Sequence, residues 1–302
     1  MKAWVALLSK ASYLAGFLVV DHSLKAVGSK YPLVAMATET LEDDARRVLR
    51  CRGIRVINIG SIRPGSRCEA FDKADGRFAD TWTKLRTFEL EEYERVVMLD
   101  ADMVVRRNMD ELMEMELANG EIAAAHVCAC NPRKRPQYPP DWIPANCPHT
   151  AVPTAHSPPP AYSPSSSPRP YAQLNSGLVV LTPSRALAAA ILARLSGTRH
   201  YYFPDQDLLA EHFHGRWRAL PWYYNALRTL RAIHPSMWED EEVRCVHYIL
   251  ADKPWMERGN KGDVADVLNE WWWDMFQELG ESMCLSDPEG WDIVRGTVAW
   301  EE

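Results

Sequence analysis

Nowhere does the chain stay apolar for the roughly 20 residues that crossing a bilayer requires. The longest unbroken apolar runs are Ala3 to Leu8 and Tyr13 to Val20, with the largely polar stretch Ser9 to Ser12 between them. The start is therefore expected to be neither a membrane span nor a convincing signal peptide. An excess of positive charge is also missing: 34 Lys and Arg stand against 41 Asp and Glu, a formal net charge of -7. That excludes nucleic acid as the main partner, while leaving room for a local basic group that holds a diphosphate. There is no internal repeat, and the cysteines, seven in number, cannot all pair. An odd count without a leader reads as reduced thiols and places the protein in the cytoplasm. With 47% hydrophobic and 25% charged residues, the 302-residue chain is of ordinary globular composition and can bury a sizeable core.

What is present is an alternation of strand-like and helix-like segments over the first hundred residues, the pattern of a parallel sheet covered by helices. Trp4 to Leu8 reads as a strand and Tyr13 to Val27 as the helix after it; Tyr31 to Thr38 is the next strand. From Thr40 to Gly53 acids come first, arginines follow and a glycine closes, which suits a helix and its dipole. "IRVINIG" is a third strand, Thr81 to Leu90 a helix and Val96 to Leu99 a fourth strand. Most of the 21 prolines fall between Asn131 and Pro170, so this stretch, about 131–170, reads as an inserted surface loop without core, extended or disordered in part. Order resumes with a strand at Leu178 to Leu181 and a helix from Ser184 to Leu195, Ser184 being its cap. A Trp-rich amphipathic helix is expected at about 263–280, with Trp271 to Trp273 serving packing. We read the whole as one domain, 1–302.

The stretch "ERVVMLDADMVV" carries the chemistry. Four apolar residues, Val96 to Leu99, run into Asp100 and Asp102, separated only by Ala101. Residues i and i+2 of an extended chain point the same way, so both carboxylates face one point, at the strand edge where α/β sheets bind ligands. Two like charges brought together need a cation. A bland alternative is a polar strand end leading into a turn.

Five further motifs follow the order of a known family: "TWTKLRTFEL" ahead of Asp-Ala-Asp, then "LNSGLVVL", "FPDQDLLAEHF", "LPWYYN" and "HYILADKPW". From about Trp4 to Trp255, excluding the Pro-rich insert, the sequence resembles family 8 glycosyltransferases of the glycogenin-like and galactinol-synthase-like branch. The resemblance implies an α/β fold of the GT-A nucleotide-diphospho-sugar transferase type, a Rossmann-like mixed sheet flanked by helices. It also implies Mn2+-dependent transfer of hexose from UDP-glucose or UDP-galactose to an acceptor, with retention. A divalent ion stabilises a departing diphosphate, in agreement with the paired carboxylates. By the same resemblance His247 completes the metal set with Asp100 and Asp102; Lys84, Asp205 and Gln206 are the catalytic group. Leu7, Ser9, Tyr13, Lys84, Asp100, Ala101, Asp102, Asn175, Ser176, Gly177 and Lys253 would contact the UDP-sugar. Asp207 stands where glycogenin-like sequences usually have glycine, and Lys10 where many relatives carry a uracil-contacting asparagine.

Two departures bear on the acceptor. The self-glucosylated tyrosine of glycogenin would fall at Ala232, and no tyrosine lies between Tyr224 and Tyr248. The acceptor is therefore a separate small molecule or glycan. "HVCACNPRKRPQYPP" and the Trp-rich helix look more like galactinol synthases, which transfer galactose to myo-inositol. A homodimer is compatible with this family. Cys128, Cys130, Cys147 and His149 have irregular spacing for a zinc site and read as separate thiols. Two competing readings carry less. A nucleotidyltransferase would show a glycine-rich basic loop after the first strand, where "LLSKASYLAG" has none. A catalytically silent UDP-sugar-binding protein would use the Pro-rich loop to engage a partner.

Overall fold

The computed structural model describes residues 1–63, 68–70, 80–196, 199–256 and 266–299. Its strands, in chain order, are β1 (Lys2–Leu8), β2 (Leu33–Ala37), β3 (Arg55–Asn58), β4 (Cys68–Ala70), β5 (Arg95–Leu99), β6 (Met103–Val105), β7 (Ile122–His126), β8 (Leu174–Leu181), β9 (Arg199–Tyr201), β10 (Trp217–Leu220), β11 (Ala226–Leu227) and β12 (Cys245–His247). The α-helices are α1 (Leu14–Ala26), α2 (Asp43–Cys51), α3 (Arg185–Ala193), α4 (Pro204–His212), α5 (Leu230–Ile233), α6 (Asp266–Ser286) and α7 (Pro288–Arg295). Among them no helix is long and apolar enough to cross a membrane.

Seven strands form the main sheet in the order β10-β7-β8-β5-β1-β2-β3. β8 runs antiparallel to both neighbours, so the sheet is mixed. β1, β2 and β5 are buried almost throughout, as expected for strands covered on both faces by helices. One core layer packs α1, α2 and α6 against the sheet through Trp4, Phe17, Leu18, Val48, Trp272 and Phe276. The opposite layer holds Trp82, Leu85, Phe88, Leu208 and Phe213. Ser184 caps α3 by accepting the Leu187 amide at 3.3 Å, and Gly53, at φ +70°, ends α2 in the left-handed conformation that glycine alone adopts without strain. Trp272 is fully buried and stacks on Phe276, a packing role.

Two segments differ from the sequence expectation. Thr81–Glu89 winds as a 3-10 helix, not an α-helix. Three residues per turn align Trp82, Leu85 and Phe88 on one buried face, and Thr87 Oγ1 donates to the Lys84 carbonyl three residues back at 2.7 Å. The insert is also not a loop without core. It makes short 3-10 turns at Pro144–Asn146, Pro148–Ala151 and Arg169–Ala172. Val152 and Ala155 belong to the main core, where the Trp222 indole donates to the Ala155 carbonyl at 3.2 Å. Proline, unable to donate along a ladder, favours these isolated turns over regular elements.

Candidate functional site

β1 and β5 are adjacent and parallel, so their carboxyl ends share one sheet edge, whereas antiparallel β8 begins there. Asp100 to Asp102 therefore lies beside Asn175 to Gly177, and the Asp100 amide donates to the Gly177 carbonyl at 2.8 Å. The chain leaves Asp102 directly into β6, which pairs antiparallel with β12 and aligns Met103 with His247. One residue on, the Tyr248 amide donates to the Asp102 carbonyl at 2.9 Å. Leu250 then adopts φ +78°, a rare conformation for a branched side chain. It turns the chain so that Lys253 Nζ reaches both the Tyr248 carbonyl, at 2.8 Å, and Asp102.

Asp100, Asp102 and His247 bring one donor atom each within 4.8 Å of one another. His247 Nε2 lies 3.3 Å from Asp102 Oδ1 and 3.6 Å from Asp100 Oδ2. Each carboxylate also has its own lysine. Lys84 Nζ sits 2.9 Å from Asp100 and 2.9 Å from Asp205, and Lys253 Nζ pairs with Asp102 at 2.5 Å. The like charges read from the sequence are thus already balanced in part by two buried ammonium groups. Burial works against charge on Lys84, but Asp100 and Asp205 more than reverse this and raise its pKa. At Asp102 burial would raise the pKa; Lys253 and His247 outweigh it and hold the carboxyl well below the usual range.

A chain of amide hydrogen bonds orients the imidazole. The Gly177 N–H, which can only donate, gives its proton to Asn175 Oδ1 at 3.0 Å. That oxygen also accepts from Asn225 Nδ2 at 2.8 Å, leaving Asn225 Oδ1 to face His247 Nδ1 at 2.9 Å. Nδ1 must then donate to that oxygen, so Nε2 is the ring nitrogen turned to the two carboxylates, to which it can give a proton when protonated and toward which its lone pair points in the neutral ring. A lone pair facing two anions is the arrangement of a metal ligand whose other nitrogen is held by a second hydrogen bond. The donor set, hard oxygens and one imidazole, fits a divalent cation. Asn175 Nδ2 extends the chain to Gln206 Oε1 at 3.1 Å. Asn225, almost fully buried, is the residue that sequence reasoning missed: "LPWYYN" marked the segment without showing that its amide reaches His247.

Two glycines make this approach possible. A Cβ at Gly177 would lie 2.3 Å from His247 Cε1, and one at Gly16, in α1, 2.4 Å from the Ala101 carbonyl oxygen. Both positions exclude a side chain because the backbone or ring opposite cannot retreat.

α4 delivers the remaining side chains. Asp205, 4% exposed, turns to Lys84, whereas Asp207 turns back to accept the Tyr202 and Phe203 amides at 2.8 and 2.9 Å. Of the two aspartates it is therefore Asp205 that faces the cluster. Burial raises the Asp207 pKa to about 6 despite those two bonds. Ser176 is buried in β8 beside Gly177. Leu7, Ser9 and Tyr13 lie at and just beyond the end of β1 but are not brought into one contact: Leu7 packs on the layer of Trp82 and Phe88, Tyr13 on the opposite one. Ser9 Oγ donates to Asp80 at 2.9 Å, Lys10 pairs with the same carboxylate at 3.2 Å, and Tyr13 packs edge-on against Trp255, two residues beyond Lys253.

The sequence family described as Glycosyl transferase family 8 matches residues 4–259. Galactinol synthase 1 of Ajuga reptans is 29% identical over 92% of this chain and 81% of its own length; galactinol synthase 7 of Arabidopsis thaliana is 28% identical over 92% and 82%. The crystal structure of the galactosyltransferase LgtC with donor and acceptor sugar analogs superimposes with a TM-score of 0.60 at 16% identity, covering 95% of this chain and all of that one. The bifunctional glycosyltransferase WbbM gives a TM-score of 0.58 at 17% identity, covering 91% of this chain and 51% of its own. The fold is thus the GT-A type of mixed α/β sheet.

Proposed function

The chain belongs to glycosyl transferase family 8, and from that premise we propose that it transfers a hexose from UDP-glucose or UDP-galactose to a separate acceptor, with retention at the anomeric carbon and with Mn2+. The observation that supports the metal dependence is the position of His247 Nε2, turned by Asn225 to face Asp100 and Asp102. An imidazole among carboxylates favours manganese over magnesium. When bound by these three side chains, the cation supplies the positive charge that stabilises a departing diphosphate.

The chain's own residues provide the rest. Lys253, held on Asp102 and the Tyr248 carbonyl, is a buried ammonium that can donate to the diphosphate as a point charge. Lys84, 2.9 Å away, holds Asp205 in place, so that Asp205 positions the hexose and faces the positive charge developing at the anomeric carbon. Asn175 and Gln206 hold each other's amides, presenting fixed donors and acceptors to sugar hydroxyls. Gly177 leaves the close approach open. Tyr13, Ser9 and Leu7 suit the nucleoside end, and the full complement of charged side chains speaks against a catalytically silent binding protein.

A narrower reading, transfer of galactose to myo-inositol, is supported by the galactinol synthases among its relatives and by Ala232, which removes the tyrosine acceptor of glycogenin. The deciding assay is a UDP-sugar panel with Mn2+, with and without myo-inositol, reading free UDP and glycosylated product. Product from UDP-galactose only when inositol is present is the expected result. UDP-sugar binding without turnover under any metal would instead support the silent binding protein. Intact mass after incubation with donor alone should show no ladder of hexose additions.

A further inference from the structure

Three cysteines outside the transferase site converge on one histidine. Cys128 and Cys130 follow β7, Cys147 sits between two 3-10 turns of the insert, and His234 closes α5. His234 Nε2 lies 3.7 Å from Cys128 Sγ, 3.3 Å from Cys130 Sγ and 3.6 Å from Cys147 Sγ, and all four donor atoms fall within 4.8 Å of one another. A tetrahedral zinc with Zn–S of about 2.3 Å and Zn–N of about 2.0 Å separates sulfur from nitrogen by about 3.5 Å. The observed spacings bracket that figure. His149, the histidine suggested by sequence proximity, is turned away: its Nε2 bonds the His126 carbonyl at 3.2 Å.

We propose that Cys128, Cys130, Cys147 and His234 form a closed Cys3His structural zinc site that fastens the Pro-rich insert to the catalytic domain. Three of the four donors are soft thiolates, the fourth is an imidazole and none is a carboxylate, so the set differs in kind from the oxygen-rich site at Asp100 and Asp102 and leaves no position for substrate. The Ala129 amide, between two of the cysteines, donates to Cys147 Sγ at 3.4 Å, a bond that stabilises a thiolate. Cys130, Cys147 and His234 are buried, so solvent cannot replace the fourth ligand easily.

The segment needs such a staple. Its own cluster of buried apolar residues is small, Val127, Ala129, Cys130, Trp142 and Cys147, and the backbone hydrogen bonds inside 131–170 are local turn bonds between residues two to four apart, such as Trp142 to Pro139 and Cys147 to Pro144. The clip also bears on the active site. Trp142 stacks on Phe203 at 5.0 Å with planes 18° apart, and Phe203 is the residue before α4, which carries Asp205 and Gln206.

The test uses the full chain, purified without a histidine tag or chelator. Elemental analysis should find about one zinc per chain, retained in Asp102→Asn and lost in Cys147→Ser. Cobalt substituted for that zinc should give the absorption of tetrahedral cobalt thiolate. Three thiols should become reactive to a disulfide reagent only after chelation. His234→Cys should keep the metal with an altered cobalt spectrum, whereas His234→Ala should lose it. Should the Cys147 variant fail to fold, the wild-type zinc content, cobalt spectrum and thiol count still decide. A native chain without zinc, iron in its place, or a disulfide among the three cysteines would each overturn the proposal.

Discussion

His247 holds Asn225 through a 2.9 Å hydrogen bond from Nδ1 to Oδ1, and Asn225 is itself held through Asn175 by the main chain of Gly177. The bond sets which nitrogen of the ring faces the carboxylates, so its loss frees the ring to rotate or change tautomer. Asn225→Ala is expected to weaken metal affinity by roughly 10- to 100-fold. Turnover against Mn2+ concentration checks this: the curve should shift to higher metal and recover most of its plateau. An unchanged midpoint would make the bond incidental.

Gly177→Ala carries the same site to a harder failure. The added methyl would sit 2.3 Å from the His247 ring, and that ring is enclosed by Asn225 and the carboxylates. We expect transfer to be lost by more than 100-fold while circular dichroism stays that of a folded protein, because the clash is local. A variant with normal Mn2+ response would show that the ring moves without cost.

Asp102→Asn removes a carboxylate from the proposed metal set. Losses of about 2.7 to 4 kcal/mol are typical when one electrostatic stabiliser is removed, which is roughly a hundredfold or more in rate. Without metal, the consequence for stability follows from the lysine rather than from repulsion by Asp100. Lys253 would be left buried and without its charge partner, a change of the kind that costs about 3–5 kcal/mol. Because the folded pKa of Asp102 is depressed, its contribution is present above the unfolded value near 3.8 and is lost as pH falls below it. Melting curves of the metal-free protein from pH 3 to 7 should show that acid-dependent loss in the wild type and a flatter profile in the variant.

Asp207 gives the opposite sign. Its folded pKa, about 6, lies above its ordinary value of 3.8, so the folded state binds the extra proton and stability declines as pH rises from about 4 to 6. Asp207→Asn, whose amide oxygen can still accept the Tyr202 and Phe203 amides, should remove that decline. The difference between variant and wild type should grow across the window by as much as about 3 kcal/mol. Chemical denaturation at pH 4 and pH 7 measures it; equal differences at the two pH values would rule out titration of this carboxyl.

The amino-acid sequence by itself determined the strands and helices of the first hundred residues, the winding of Thr81–Glu89 aside, the β8–α3 unit and the strand-end carboxylates. The period of apolar residues and the cap at Ser184 lie within a few residues of one another, and the two aspartates at i and i+2 of an extended segment share a direction wherever that segment is placed. Each family motif is likewise contiguous, and five of them in one order carry the resemblance. What only the tertiary structure decided is which distant groups meet. Asn225 reaches His247 across 22 residues, Lys253 reaches Asp102 across 151, and His234 displaces His149 at the three cysteines although it is 87 to 106 residues away from them. The winding of Thr81–Glu89 and the backward turn of Asp207 depend in the same way on what packs against them. The reason is physical: propensity and periodicity are properties of neighbouring residues, whereas charge pairing and metal-ligand geometry depend on distances in space that are set only when β5, β8 and β12 come together at one edge.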